Sequence, residues 1–370
     1  MTADTPNASA PASGSASANL DFLRTFAVSI VVLRHLLGAF NVHDSGLFHL
    51  QAFGIFGVLL FFVHTCLVLM FSLERQHSRY GRRHFFGTFM VRRCFRIYPL
   101  SIVTVGLIAI AGAFVPAIYS PTSGFATALD AAGVTFNLLL VQNLMHAHDI
   151  FGVLWSLPLE MQMYIFLPAL FLIAGRVKTS GLLCLWGLSA AVAVIQPKLK
   201  FLPDILRFVP CFLPGIICYT LWNKPRALPF WMMPATLVLC LFAYEVAYGR
   251  LHSQTAAGIP LCLIVGLVLP RFRELESRLG RSICETIARY SYGIYLTHLP
   301  MIWLAFVGLR AWSTAAQWAV FLAGLIVLPL IAYHTVEEPM IRAGGQMTGK
   351  LFHNRVAKNK AVLAAEEPAP

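Results

Sequence analysis

The chain alternates long apolar runs with short polar breaks, and the lengths of those runs decide its architecture. A helix needs about 20 apolar residues to cross the hydrocarbon of a bilayer. Runs near that length lie at 20–40, 50–73, 97–117, 153–175, 181–196, 205–222, 229–248, 256–270, 287–309 and 315–336. The pattern predicts an all-α fold, a polytopic integral membrane bundle of about ten transmembrane helices. A further apolar stretch, 131–145, is short and runs into His-Ala-His-Asp, so it reads as a re-entrant or interfacial piece. No internal repeat is visible. One membrane domain, 20–342, follows a small, polar, Pro-containing segment at 1–19 and precedes a basic, then flexible cytoplasmic tail at 343–370. The first 19 residues carry no positive region ahead of the apolar run, so they read as a disordered cytoplasmic tail and not as a cleaved signal.

Charge tests these spans, because Lys and Arg concentrate in cytoplasmic loops. Loop 74–96 holds seven of them, 176–178 two, 224–226 two, 271–289 five and the chain from 342 onward five. The opposite loops hold only Lys198, Lys200, Arg207, Arg250 and Arg310. With ten spans, this asymmetry puts both termini in the cytoplasm. The net charge of +12 is therefore an orientation signal and not a nucleic-acid surface. Only 12% of the chain is charged against 58% hydrophobic, which excludes a soluble domain wrapped round one core. Eight cysteines, scattered singly with no CxxC pair, read as packing residues, so no metal site is expected.

An ionisable group inside an apolar run costs roughly 2.5 kcal/mol or more, so each one asks for a reason. Arg24 and His35 are eleven residues apart in the first run. That is three turns to within about 20°, and about 16 Å of rise, so the two share a helix face while Arg34 points elsewhere. A snorkelling anchor and a packing histidine are the bland alternative. In "VLWSLPLEMQMYIFLP", Ser156, Glu160 and Tyr164 form one stripe next to Trp155. Glu160 should face the bundle interior, either in a structural ion pair with an arginine or in a functional site. "ARYSYGIYLTHLP" aligns Ser291, Tyr295 and His298 in the same way. The second run buries His64 and Thr65 behind Gly54 and Gly57, and "AYHTVEEPM" sets His334, Glu337 and Glu338 near the cytoplasmic surface. Polar stripes from five different runs point to a shared interior cavity. Just before the third run, Arg92, Arg93 and Arg96 lie at the inner surface, where guanidinium groups match phosphate geometry. Topology alone, or lipid phosphate, is the other account of these arginines. No Walker or dinucleotide glycine loop occurs.

This order of motifs resembles the acyltransferase 3 family over about 20–342. "LDFLRTFAVSIVVLRH" is similar to the family's opening helix, with its Arg-x10-His spacing at Arg24 and His35. "GIFGVLLFFV" resembles the second-span motif, and "RRCFRIYP" the cytoplasmic arginine element at Arg93, Arg96 and Pro99. "WSLPLEMQMY", "SYGIYLTHLP" and "VEEP" resemble the later motifs at Trp155, Ser156, Glu160, Ser291, Tyr292, Tyr295, His298 and Glu337. The chain departs from the pattern at Thr65 and Cys66, where the family has Ser-Gly, at Pro158, and at Glu338, where Arg is common. The chain also ends soon after the last run, so no extra extracytoplasmic domain is expected.

The resemblance implies a multi-pass protein of the cell inner (plasma) membrane that transfers an acyl group, acetyl foremost, from acyl-coenzyme A as co-substrate. No permanently bound cofactor is expected. The implied acceptor is a hydroxyl of a glycan, in a surface polysaccharide such as lipopolysaccharide or in a glycolipid, and a secondary metabolite stays open. On this reading Arg92, Arg93 and Arg96, helped by Arg24, hold the donor phosphates. His35 acts as general base or as a transient acyl carrier. Glu160 orients the imidazole or stabilises its cation, and Ser156, Tyr295 or His298 donates to the oxyanion. The alternative from another class is a secondary transporter using the buried His, Glu and Arg as a substrate or proton pathway.

Overall fold

The computed structural model describes residues 17–40, 42, 44, 49–115, 130–199 and 202–353. The tails expected at the two ends fall largely on 1–16 and 354–370, outside the described residues. Among the described residues the fold is helical throughout, with no strand and one isolated bridge between Leu228 and Phe272. The helices are α1 Ala18–Ala39, α2 Leu50–Phe114, α3 Ala131–Leu138, α4 Ser156–Ala174, α5 Thr179–Ile195, α6 Ile205–Leu221, α7 Met232–Leu251, α8 Gln254–Val268, α9 Arg278–Ile302, α10 Thr314–Ala332 and α11 Glu338–Thr348.

Straight, the 65 residues of α2 would reach about 98 Å, some three times the hydrocarbon thickness. Gly81 breaks it, at φ 68° and ψ 172°. That backbone region is essentially restricted to glycine, and no atom lies within 4 Å of where a Cβ would stand, so conformation and not space requires the residue. The break separates two apolar arms, Leu50–Arg82 and His84–Phe114. With these arms counted separately, eight helices among the described residues are long and apolar enough to cross a membrane. The two remaining expected runs are also helical. One is α6, 17 residues long. The other is α9, which starts at Arg278 and not near 287. The Ser277 side chain accepts from the Gly280 N–H at 3.2 Å, so a polar cap and not hydropathy sets that start. Ser253 and Ser313 cap α8 and α10 in the same way.

α1 packs against α2 and α9, while α6 packs against α2, α5 and α8. At the α1–α2 contact a Cβ on Gly57 would lie 2.7 Å from the Ala27 carbonyl oxygen and from Ile30 Cγ1. The missing side chain is what lets the two backbones approach. Apolar side chains such as Leu239 (69% exposed) and Phe242 (66%) face outward, as lipid contact requires. Polar ones, among them His64, Asn137, Ser156, Ser291, His298 and Glu337, are buried within the bundle. All eight cysteines are free, and six of them are buried.

The short apolar stretch at 131–145 is held by polar bonds. Asp130 caps α3 by accepting from Gly133 N–H at 2.7 Å. Asn137 then donates to the His148 carbonyl and accepts from Ile150 N–H at 2.9 Å each. These bonds fold residues 139–155 back onto the bundle and set the approach to α4, where Trp155 and Ser156 stand.

Candidate active site

The buried polar stripes meet in two separate cavities. The inner one, ≈ 100 Å³, is lined by Arg24 of α1, His64 and Thr65 of the first arm of α2, Arg93 and Arg96 of the second, Ser156, Glu160 and Tyr164 of α4, and Ser291, Tyr292 and Tyr295 of α9. The outer one, ≈ 210 Å³, is lined by Arg34, His35, Gln51, Trp155, Gln254 and Tyr295 with smaller residues. Among the described residues only Val58 and Tyr295 line both. The single interior cavity expected from the polar stripes is thus divided in two, with Arg24 and His35 at different levels of α1. Each lines a different cavity, because about 16 Å of helix separates them. Arg34, expected to point elsewhere, stands in the outer cavity beside His35.

In the inner cavity the guanidinium groups outnumber the carboxylates. Arg24 Nε and Arg93 Nε are buried without a hydrogen-bond partner among the described residues. The Arg93 guanidinium lies 5.8 Å from the Phe89 ring centroid. Arg96 Nη1 lies 3.7 Å from Glu337 Oε2, and Glu337 is fully buried with no hydrogen bond to either oxygen. A π-helical turn at Tyr333–Glu337 separates Glu337, held inward, from Glu338, which pairs at the surface with His334 and Arg342. Glu160 Oε2 accepts from Tyr164 OH at 2.8 Å. An orphaned, buried guanidinium N–H is costly unless an anion takes it, so this cavity fits a polyanionic ligand. Arg92 is placed elsewhere. Its Nε donates to Thr348 Oγ1 at 3.2 Å and its Nη2 to Tyr80 OH at 3.4 Å, which ties α2 to α11.

His35 meets a second histidine. His298 Nε2 lies 3.2 Å from His35 Nδ1, which is also 2.9 Å from the Val31 carbonyl. His298 Nδ1 is 3.0 Å from the Ile294 carbonyl. A carbonyl only accepts, so both rings carry their proton on Nδ1. His298 Nε2 is then an acceptor for His35 Nδ1–H, and His35 Nε2 keeps its lone pair free of any protein hydrogen bond among the described residues. Three expected roles change. Glu160 does not reach His35, and His298 is its partner instead. Neutral His298 has already spent its one N–H and has none for an oxyanion. Tyr295 OH donates to the Val153 carbonyl at 2.8 Å and is 2.9 Å from Ser156 Oγ, so its proton is also engaged. Tyr292 OH likewise donates to the Ile97 carbonyl at 2.7 Å. Trp155 lines the outer cavity, not the inner one, and packs on Phe208.

Gln51 and Gln254 escaped sequence reading. Each sits at the start of a helix, where a polar residue is ordinary, and only the packing of α2 and α8 brings them to His35. The pairing of His35 with His298 had a partial signal, since both are histidines in otherwise apolar runs.

Comparison with known proteins gives the chain's family. Nodulation protein 10 of Rhizobium leguminosarum bv. viciae is 23% identical over 358 residues, covering 88% of this chain and 93% of that protein. No solved structure matches the chain. Residues 17–334 match the family described as an acyltransferase domain, a span that takes in the lining of both cavities, from Arg24 to Tyr295. A helical membrane protein with Arg24, His35, Arg93 and Arg96 all inside that match, the chain belongs to the acyltransferase 3 family and is an acyltransferase.

Proposed function

We propose that the chain is an O-acyltransferase of the inner membrane, with both termini cytoplasmic, that moves an acyl group, acetyl foremost, from acyl-coenzyme A to a sugar hydroxyl of a surface polysaccharide or glycolipid. One observation carries the reading: a cationic cavity with orphaned guanidinium N–H groups and a second cavity with a free imidazole nitrogen adjoin at Val58 and Tyr295. Arg24, Arg93 and Arg96 hold donor phosphates in the first. The acceptor enters the second. Family membership favours transfer over the secondary-transport alternative.

The chemistry follows from the tautomer. His35 Nε2 takes the proton of the acceptor hydroxyl as its oxygen attacks the thioester carbonyl. A carbon–oxygen bond forms, the carbon–sulfur bond breaks, and the proton passes from His35 to the departing thiolate. His298 Nε2 and the Val31 carbonyl hold His35 Nδ1–H and stabilise the imidazolium that forms between these steps. Glu160 offsets the arginine charge of the inner cavity.

The test is transfer of radiolabelled acetyl from acetyl-coenzyme A to membrane glycans, in vesicles carrying wild type or His35→Ala at matched expression. Loss of about a hundredfold or more is expected on removing a general base. Transfer unchanged in the variant would sink the mechanism.

A further inference from the structure

The outer cavity holds a charge that the transfer chemistry does not use. Arg34 has neither a salt bridge nor a hydrogen bond among the described residues, although it sits within α1. The carboxylate whose field reaches it is Asp44, and Asp44 Oδ1 is occupied in accepting Leu50 N–H at 2.8 Å. Among the described residues no Asp or Glu lines the cavity. The inner cavity differs, for there Glu160 stands among the arginines.

The fold also makes room for this side chain. A Cβ on Gly54 would lie 2.7 Å from Arg34 Cγ and 2.9 Å from its Cβ, so the glycine leaves the groove in which the stem runs. The same cavity is lined by Gln51 and Gln254, whose amides donate to and accept from hydroxyls, and by Trp155, whose ring offers a flat apolar face. An arginine half-buried in a membrane bundle, with no ion pair among the described residues, is costly to keep there. An oxyanion on the ligand would offset that cost with a paired, charge-assisted hydrogen bond.

We infer that the outer cavity selects an acidic acceptor: a sugar that carries a carboxylate or phosphate, bound through Arg34, with the reacting hydroxyl at His35. The inference rests on the proposed reading of this cavity as the acceptor site. Arg34 is then a specificity residue, one helical position from the base but serving a different part of the same ligand.

The experiment measures binding to the purified full-length protein in the absence of donor, so that its outcome is independent of the His35 transfer assay. The probes are methyl glucuronide, glucose 6-phosphate, neutral methyl glucoside and glycerol 3-phosphate. Wild type is expected to bind the two charged sugars at least about tenfold more tightly than the glucoside, as a single charge-assisted bond supplies. Arg34→Gln should bring that ratio to near one, while Arg34→Lys, which keeps the charge, should retain part of it. Should Arg34→Gln fail to fold, the wild-type ratio and its weakening with salt decide the matter. No charge preference in wild type, or a preference that survives Arg34→Gln, overturns the inference. Glycerol 3-phosphate bound as tightly as the charged sugars would also overturn it, assigning the guanidinium to lipid headgroups.

Discussion

At the scale of single residues, the site is decided by which protons are already spent. His298 accepts from His35 Nδ1–H and touches no reacting atom in the proposed chemistry, so it is a positioning residue. His298→Ala is expected to lower kcat about tenfold or more with KM nearly unchanged, because the lost interaction strengthens only as His35 gains charge. Steady-state kinetics separate this from simple loss of packing, which would move both constants. The Arg96–Glu337 pair carries a second expectation. Glu337 is fully buried and has no hydrogen bond, whereas Arg96 reaches the cavity. Removing the arginine strands a buried carboxylate, so Arg96→Gln should cost about 3–5 kcal/mol and lower the thermal midpoint more than Glu337→Gln does. Equal shifts would show that the pair is not held by burial. His35, Glu160, Arg24, Arg93 and Arg96 could be singled out in the sequence because an ionisable group in or beside an apolar run is costly and asks for a reason. Their partners could not, since a carbonyl four residues back and a histidine 263 positions away appear only once helices pack.

At the scale of elements, α1 matters most, because it carries Arg24 to one cavity and Arg34 and His35 to the other. Its distance from α2 is set by Gly57, where an added Cβ would meet the Ala27 carbonyl oxygen at 2.7 Å. Gly57→Val should cost about 1–3 kcal/mol of stability by overpacking. Transfer activity should fall further than that loss explains, by about a hundredfold, since misplacement by about 1 Å is enough. Activity that tracks only the amount of folded protein would contradict this account. Helix positions were readable from hydropathy, but helix ends were not. α9 begins at a serine cap well before its apolar run, and α2 runs through polar residues to a glycine at φ 68°. Backbone caps and a single dihedral leave little trace in apolar periodicity.

At the scale of the whole molecule, the arginine-rich face and the His35 cavity should open to opposite sides of the membrane, donor from the cytosol and acceptor from beyond. A fluorescent protein fused after Pro370 is therefore expected to fold and fluoresce, as it does in the cytoplasm. A C-terminal alkaline phosphatase fusion that is active instead would reverse the topology. The sequence by itself determined that the chain lives in a bilayer, which runs become helices and which side chains pay too high a cost to be there without purpose, because transfer of apolar and charged groups between water and hydrocarbon depends on residue type alone. Only the tertiary structure decided that the polar stripes divide between two cavities, that Arg92 belongs to a helix contact, and that Arg34 and His35 share a chamber. Those outcomes depend on how close helices approach and in what rotation, which Gly57, Gly54 and the bend at Gly81 set through packing that no single run of residues contains.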